Sequence, residues 1–135
     1  MEPAESILLV DDDESYRFIL RHHLEGLGYR VLEAGDGNEA LSILCDRPIP
    51  LAILDLVMPN GEGLETIRIL RRKGWHTKVL AVSGARAAHT YLDAASKLGA
   101  DAAVEKARPV SELLDTVRLL LNREDGSAVT REVCR

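Results

Sequence analysis

Short apolar runs alternate along the chain with longer stretches in which apolar residues recur every three or four positions. The runs at 7–10, 51–54 and 79–82 are continuously apolar, the pattern of strands buried on both faces. A weaker run at 31–34 and an alanine-rich one at 102–104 bring the predicted strands to five. Between and after them lie five amphipathic segments. Tyr16, Ile19, His23, Leu24 and Leu27 mark the inward face of the first, which Gly28 stops. Asp36 with Glu39 reads as a capping box opening the second, through Ala40, Leu41 and Leu44. Leu64, Ile67 and Leu70 line the third; Arg71, Arg72 and Lys73 then set cations against the negative end of its dipole before Gly74. Ala88, Leu92, Ala95 and Leu98 line the fourth, stopped by Gly99. Pro109 suits the first turn of the fifth, whose inward residues are Val110, Leu113, Leu114, Val117, Leu120 and Leu121.

Strand and helix thus alternate five times. That predicts an α/β, doubly wound parallel sheet with helices on both faces, over residues 5–122. The mostly polar residues 123–135 read as a flexible tail. Sheets of this kind bind ligands beyond the carboxyl ends of their strands, so the residues that follow each strand are where chemistry is expected. The first strand is followed by Asp11, Asp12, Asp13 and Glu14, the third by Asp55, the fourth by Ser83 and Gly84, and the fifth by Lys106. Taken singly, each has a plain explanation. Asp13 suits a helix cap, Ser83-Gly84 a turn, and Lys106 a surface charge. Asp55 is harder to dismiss, because it lies between Leu54 and Leu56 and an enclosed carboxylate needs partners. Together they place three carboxylates, a hydroxyl and a lysine on one rim. Carboxylates about 4 Å apart repel by about 4 kcal/mol per pair at an effective dielectric near 20. A divalent cation relieves that, and oxygen ligands favour Mg²⁺ over zinc. A carboxylate nucleophile, Mg²⁺, a lysine and a hydroxyl are the parts of a phosphoryl-transfer site.

Composition narrows the alternatives. With 135 residues and a net charge of −5, neither a second core nor a basic nucleic-acid surface is expected. No run reaches the length of a membrane span, and the acidic N-terminus is no export signal. The expectation is a cytoplasmic protein that binds neither nucleic acid nor membrane. Cys45 and Cys134, far apart, suggest neither a disulfide framework nor a zinc site. His22, His23, His76 and His89 lack metal-ligand spacing. Trp75 is expected in the loop before the fourth strand, at the end of the sheet away from the rim.

Over residues 6–121 the chain resembles the receiver domain of two-component response regulators. The residues that carry the resemblance are Leu8-Leu9-Val10-Asp11-Asp12, Gly28-Tyr29-Arg30-Val31, Ala34, Gly37-Asn38-Glu39-Ala40-Leu41, Asp55-Leu56-Val57-Met58-Pro59, Gly63-Leu64, Ser83-Gly84, Leu98-Gly99-Ala100 and Lys106. The resemblance implies a flavodoxin-like sheet in the order 2-1-3-4-5. It implies Asp55 as phosphoacceptor, with Mg²⁺ held by Asp12, by Asp11 largely through water, by Asp55 and by the carbonyl of Val57. It implies that Ser83, the Gly84 amide and Lys106 hold the phosphoryl oxygens. The implied partners are a histidine kinase or histidine phosphotransfer protein, and a downstream protein met by the fourth helix, fifth strand and fifth helix. Val57 and Ala85 occupy the positions that tune hydrolysis in this family, and neither offers a polar group, so self-dephosphorylation is expected to be unexceptional to slow.

The chain departs from the family pattern in three places. Ala107 replaces the proline that usually follows the lysine through a cis bond. A cis bond before alanine costs about 2.5–4 kcal/mol, so either the site holds that strain or the loop is rearranged. Ala103 replaces an aromatic whose rotamer usually reports phosphorylation, and Tyr91 is a candidate substitute. Asn60-Gly61-Glu62 replaces a commoner apolar residue before Gly63, which predicts a looser loop. The leading expectation is a single-domain response regulator that signals by protein contact or phosphorelay, catalysing its own phosphorylation and dephosphorylation but turning over no substrate. The alternatives are a phosphorylation-independent interaction module with a degenerate switch, and a haloacid dehalogenase-like phosphatase. The last needs a second aspartate where Val57 stands.

Overall fold

The structure, a computed structural model, describes residues 5–58, 62–84 and 88–122. All five strands and five helices are present: β1 Ser6–Val10, α1 Glu14–Gly26, β2 Arg30–Ala34, α2 Gly37–Asp46, β3 Leu51–Asp55, α3 Glu62–Arg72, β4 Lys78–Ser83, α4 Ala88–Leu98, β5 Ala102–Glu105 and α5 Val110–Leu121. The strands form one parallel sheet in the order β2-β1-β3-β4-β5. Strand order reverses at β1, so the crevice of this fold opens between the carboxyl ends of β1 and β3.

Because side chains alternate across a strand, each central strand feeds two cores. Leu8, Val10, Ala52, Leu54, Val79 and Ala81 join the layer packed against α2, α3 and α4. Ile7, Leu9, Leu51, Ile53, Leu80 and Val82 join the layer packed against α1 and α5. This two-sided burial is why those strands read as unbroken apolar runs. The edge strand β5 is only half-buried and its alanines give a weaker signal.

The helix ends follow their sequence cues. Asp13 Oδ1 accepts from the N–H groups of Ser15 and Tyr16 and caps α1. At its other end Gly28, at φ +96°, closes a Schellman turn in which its N–H meets the Glu25 carbonyl and that of Tyr29 meets Leu24. Asp36 Oδ1 caps α2 by accepting from the Glu39 N–H, while Glu39 Oε1 reaches back to the N–H of Gly35. Pro109 is the N-cap of α5 and Val110 its first residue.

The inward face of α1 differs from the sequence reading. Its buried residues are Leu20 and Leu24, with Tyr16 half-buried, whereas Ile19 and Leu27 are exposed and His23 faces solvent. The row that packs is 16, 20 and 24, spaced by four. The row 19, 23 and 27 runs beside it and misses the sheet. The four histidines are exposed. Cys45 on α2 is disulfide-bonded, where the spacing of the two cysteines suggested no disulfide framework. Asn60, Gly61, Ala85, Cys134 and the predicted tail at 123–135 lie outside the described residues. Among the described residues, no helix is long and apolar enough to cross a membrane.

Candidate functional site

Strand parity aims the rim residues. In β1 and β3, Ile7, Leu9, Leu51 and Ile53 face the α1/α5 side. Continuing that alternation one step brings Asp11 and Asp55 to the same side. In β5, Ala102 and Val104 also pack there, and the same count carries Lys106 to join the two carboxylates. Asp11, Asp12 and Asp55 each offer an oxygen within 4.8 Å of the others. Asp11 and Asp55 are both 3% exposed, whereas Asp12 is open to solvent.

Each buried carboxylate spends one oxygen on the backbone. Asp11 Oδ1 accepts from the Asp13 N–H at 2.9 Å, and Asp55 Oδ1 from the Val57 N–H at 3.1 Å. The other oxygens face Lys106, whose Nζ lies 2.6 Å from Asp11 Oδ2 and 3.5 Å from Asp55 Oδ2. The Asp11 contact is a close ion pair that lacks hydrogen-bond alignment, so Asp11 Oδ2 is a buried acceptor with no hydrogen bond satisfied. One ammonium thus serves two buried carboxylates, with Asp12 close beside them. Burial, reinforced by the negative charge of Asp11, pushes the Asp55 carboxyl up to about 6, against the opposing pull of the Val57 N–H and Lys106. Burial draws Lys106 down, but Asp11 and Asp55 together outweigh it and the ammonium ends above its ordinary range. Uncompensated negative charge, an acceptor lacking a hydrogen bond and donors that are all oxygen fit a hard divalent cation.

Ser83 ends β4 fully buried, and its carbonyl accepts the Lys106 N–H at 3.0 Å. A Cβ placed on Gly84 would meet Lys106 Cδ at 3.3 Å, so the lysine stem runs against this glycine. Val57 follows β3 with its side chain 40% exposed. The Lys106–Ala107 bond is trans, as is every peptide bond among the described residues. Of the two alternatives raised by Ala107, the loop is therefore built without the cis bond, and Lys106 still reaches both carboxylates. Ala103 is half-buried against the α2–α4 layer, where Tyr91 also packs.

Gly63 has a role that the sequence reading did not give it. It lies in the first turn of α3, and a Cβ there would stand 2.4 Å from Leu56 Cα and 2.5 Å from the Asp55 carbonyl oxygen. Glycine lets α3 press onto the backbone that carries Asp55. Two further residues touch the site unannounced. Arg17 on α1 donates to the Asp11 carbonyl at 2.6 Å and to that of Ala34 at 3.3 Å, and pairs with Glu33 at 2.9 Å. It thereby braces the ends of β1 and β2. Tyr16, read in the sequence only as a packing residue, lies under Lys106 with its ring centroid 4.3 Å from Nζ.

Residues 7–118 match the response regulator receiver domain. The chain belongs to that family. Receiver domains are signalling modules rather than turnover enzymes, and they interact with histidine kinases. The response regulator MprA of Mycolicibacterium vanbaalenii is 38% identical in an alignment covering 96% of this chain and 63% of the relative. The KDP operon transcriptional regulatory protein KdpE of Escherichia coli is 36% identical, over 90% of this chain and 53% of its own. The receiver thus spans about half to two thirds of the length of these curated relatives. Among solved structures, a CheY-like receiver domain protein from Methanospirillum hungatei superposes with a TM-score of 0.79 at 27% identity, covering 88% of this chain and 94% of that one. The chemotaxis response regulator CheY4 of Vibrio cholerae gives 0.77 at 27%, over 87% and 98%. The acidic cluster of Asp11, Asp12 and Asp55 is of the kind that forms the Mg²⁺ site of receivers.

Proposed function

We propose that this receiver accepts a phosphoryl group on Asp55 from a phosphohistidine of a histidine kinase or phosphotransfer protein. It then signals by protein contact through the face of α4, β5 and α5, or passes the group on. The observation that carries this reading is the convergence of Asp11, Asp12 and Asp55 within 4.8 Å, with Lys106 3.5 Å from Asp55. Asp55 Oδ2 is the nucleophile. As its bond to phosphorus forms in line, the P–N bond of phosphohistidine breaks and the imidazole leaves with the electron pair. Lys106 moves its charge from the carboxylates to the transferred group. Ser83 donates its hydroxyl, and Gly84 its N–H, to the phosphoryl oxygens. Asp11, Asp12, Asp55 and the Val57 carbonyl would hold Mg²⁺, which when bound offsets the charge of carboxylates and phosphoryl group alike. Ordinary hydrolysis of the acyl phosphate resets the domain.

Intact mass after incubation with acetyl phosphate tests this directly. The expected result is one phosphoryl group on the wild type in Mg²⁺, and none without Mg²⁺ or in Asp55→Asn. An unmodified wild type, or an Asp55→Asn variant that still gains the mass, would overturn the assignment of Asp55.

A further inference from the structure

Lys106 has to stand at one place to do this work, yet its surroundings supply few ordinary restraints. A lysine stem is flexible, and its ammonium is a point charge without a preferred direction. The backbone around it is an ordinary trans loop. Its two carboxylate partners compete unequally, at 2.6 Å for Asp11 and 3.5 Å for Asp55. Charge alone therefore leaves the ammonium free to shift between the two carboxylates.

We propose that Tyr16 is a positioning residue for Lys106, its ring holding the ammonium at the acidic cluster of Asp11 and Asp55 through a cation–π contact. The inference rests on the reading of Asp55 as phosphoacceptor. The ring centroid lies 4.3 Å from Nζ, well inside the range of such contacts. The lysine stem also passes against Gly84, so both its stem and its ammonium have a neighbour. The ring is itself fixed. The Tyr16 N–H is bound by the Asp13 cap at 3.2 Å, the neighbouring Arg17 is tied to the Asp11 and Ala34 carbonyls, and the side chain packs on the α1/α5 layer. Burial, opposed by Lys106, raises the phenol above its ordinary range and keeps the ring neutral. An aromatic face attracts the ammonium whichever anion it bridges, so the contact persists when a phosphoryl group replaces a carboxylate as the lysine's partner. Tyr16 so restrains from the side-chain end a lysine whose loop lacks a proline.

The experiment compares wild type, Tyr16→Phe and Tyr16→Leu, with Tyr16→Met in place of the last if it does not fold. Phosphorylation by acetyl phosphate in Mg²⁺ is timed by intact mass, and the Lys106 ε-methylene protons are followed by NMR without phosphodonor. The leucine variant is expected to be phosphorylated about tenfold more slowly, which is about 1.4 kcal/mol. The phenylalanine variant should stay close to wild type. The ε-protons should be shifted upfield by the ring in wild type and Tyr16→Phe, and lie near ordinary lysine positions in Tyr16→Leu. A leucine variant as fast as a phosphorylated wild type would overturn the role of Tyr16 and leave Asp55 standing. A phenylalanine variant as slow as leucine would show that the hydroxyl acts, and would overturn it too. A wild type that takes up no phosphoryl group would sink the Asp55 reading instead. The ε-proton shifts then decide the Tyr16–Lys106 contact alone, and their absence in wild type would overturn it.

Discussion

Asp55 is under electrostatic load in the metal-free protein. Its carboxyl is raised to about 6 by burial and by Asp11, above the value of about 3.9 usual for an unfolded chain. The folded state therefore keeps a proton that the unfolded state releases, and stability falls as pH rises between about 4 and 6. The penalty is absent below that window and complete above it, where it amounts to about 3 kcal/mol. Asp55→Asn removes the charge and keeps an oxygen for the Val57 N–H. It is expected to stabilise the metal-free protein by about 2–3 kcal/mol at pH 7.5 and by nearly nothing at pH 4, measured by urea unfolding. Saturating Mg²⁺ should narrow the difference at pH 7.5, because it binds the folded wild type. That Asp55 would be an enclosed carboxylate was legible in the sequence, because it lies between Leu54 and Leu56. Tyr16 and Arg17 were not legible as site residues. Their meeting with Lys106 and with the Asp11 carbonyl depends on how α1 lies against strands that are distant in sequence. The hydrophobic period of α1 misled further by offering two parallel rows, of which only that of Leu20 and Leu24 packs.

At the scale of elements, the contact between α3 and the end of β3 sets the position of Asp55. Gly63 allows it, since any Cβ there would overlap Leu56 Cα and the Asp55 carbonyl, both of them backbone. Gly63→Ala is expected to cost about 1–3 kcal/mol, the usual penalty of overpacking, and to slow phosphorylation by displacing Asp55. Gly26, in the last turn of α1, has nothing within 4 Å of its would-be Cβ. Gly26→Ala should stabilise by about 0.4–1 kcal/mol through the unfolded chain alone and leave phosphorylation unchanged. Thermal unfolding of the two variants separates the effects, and equal shifts would refute the contact argument. The elements themselves were readable because each central strand is buried on both sides and α1, α3 and α4 are each followed by a glycine stop. The alanine-rich β5 is read from its context, since only pairing with β4 through Leu80–Ala102 to Ser83–Glu105 defines it.

Across the whole molecule, chemistry and bracing occupy opposite ends of the sheet. Beyond the amino end of β4, Arg71 donates to the carbonyls of Gly99, Trp75 and Thr77 and pairs with Asp101 at 2.8 Å. It locks α3 to the turns around β4 and β5. Trp75 lies in that knot, 5% exposed and joined to the α2–α4 layer, with Lys73 5.6 Å from its ring. Its emission should follow unfolding but stay constant as Mg²⁺ is titrated. A quench that saturates with Mg²⁺ would mean that the rim and the far end move together.

The sheet also acts as a partition. Val10 and Leu9 are neighbours in sequence but belong to different cores, and the same alternation brings Asp11, Asp55 and Lys106 to the α1/α5 side. A substitution in the α2–α4 layer can therefore repack that side of the sheet while the layer beneath Asp11, Asp55 and Lys106 keeps its packing.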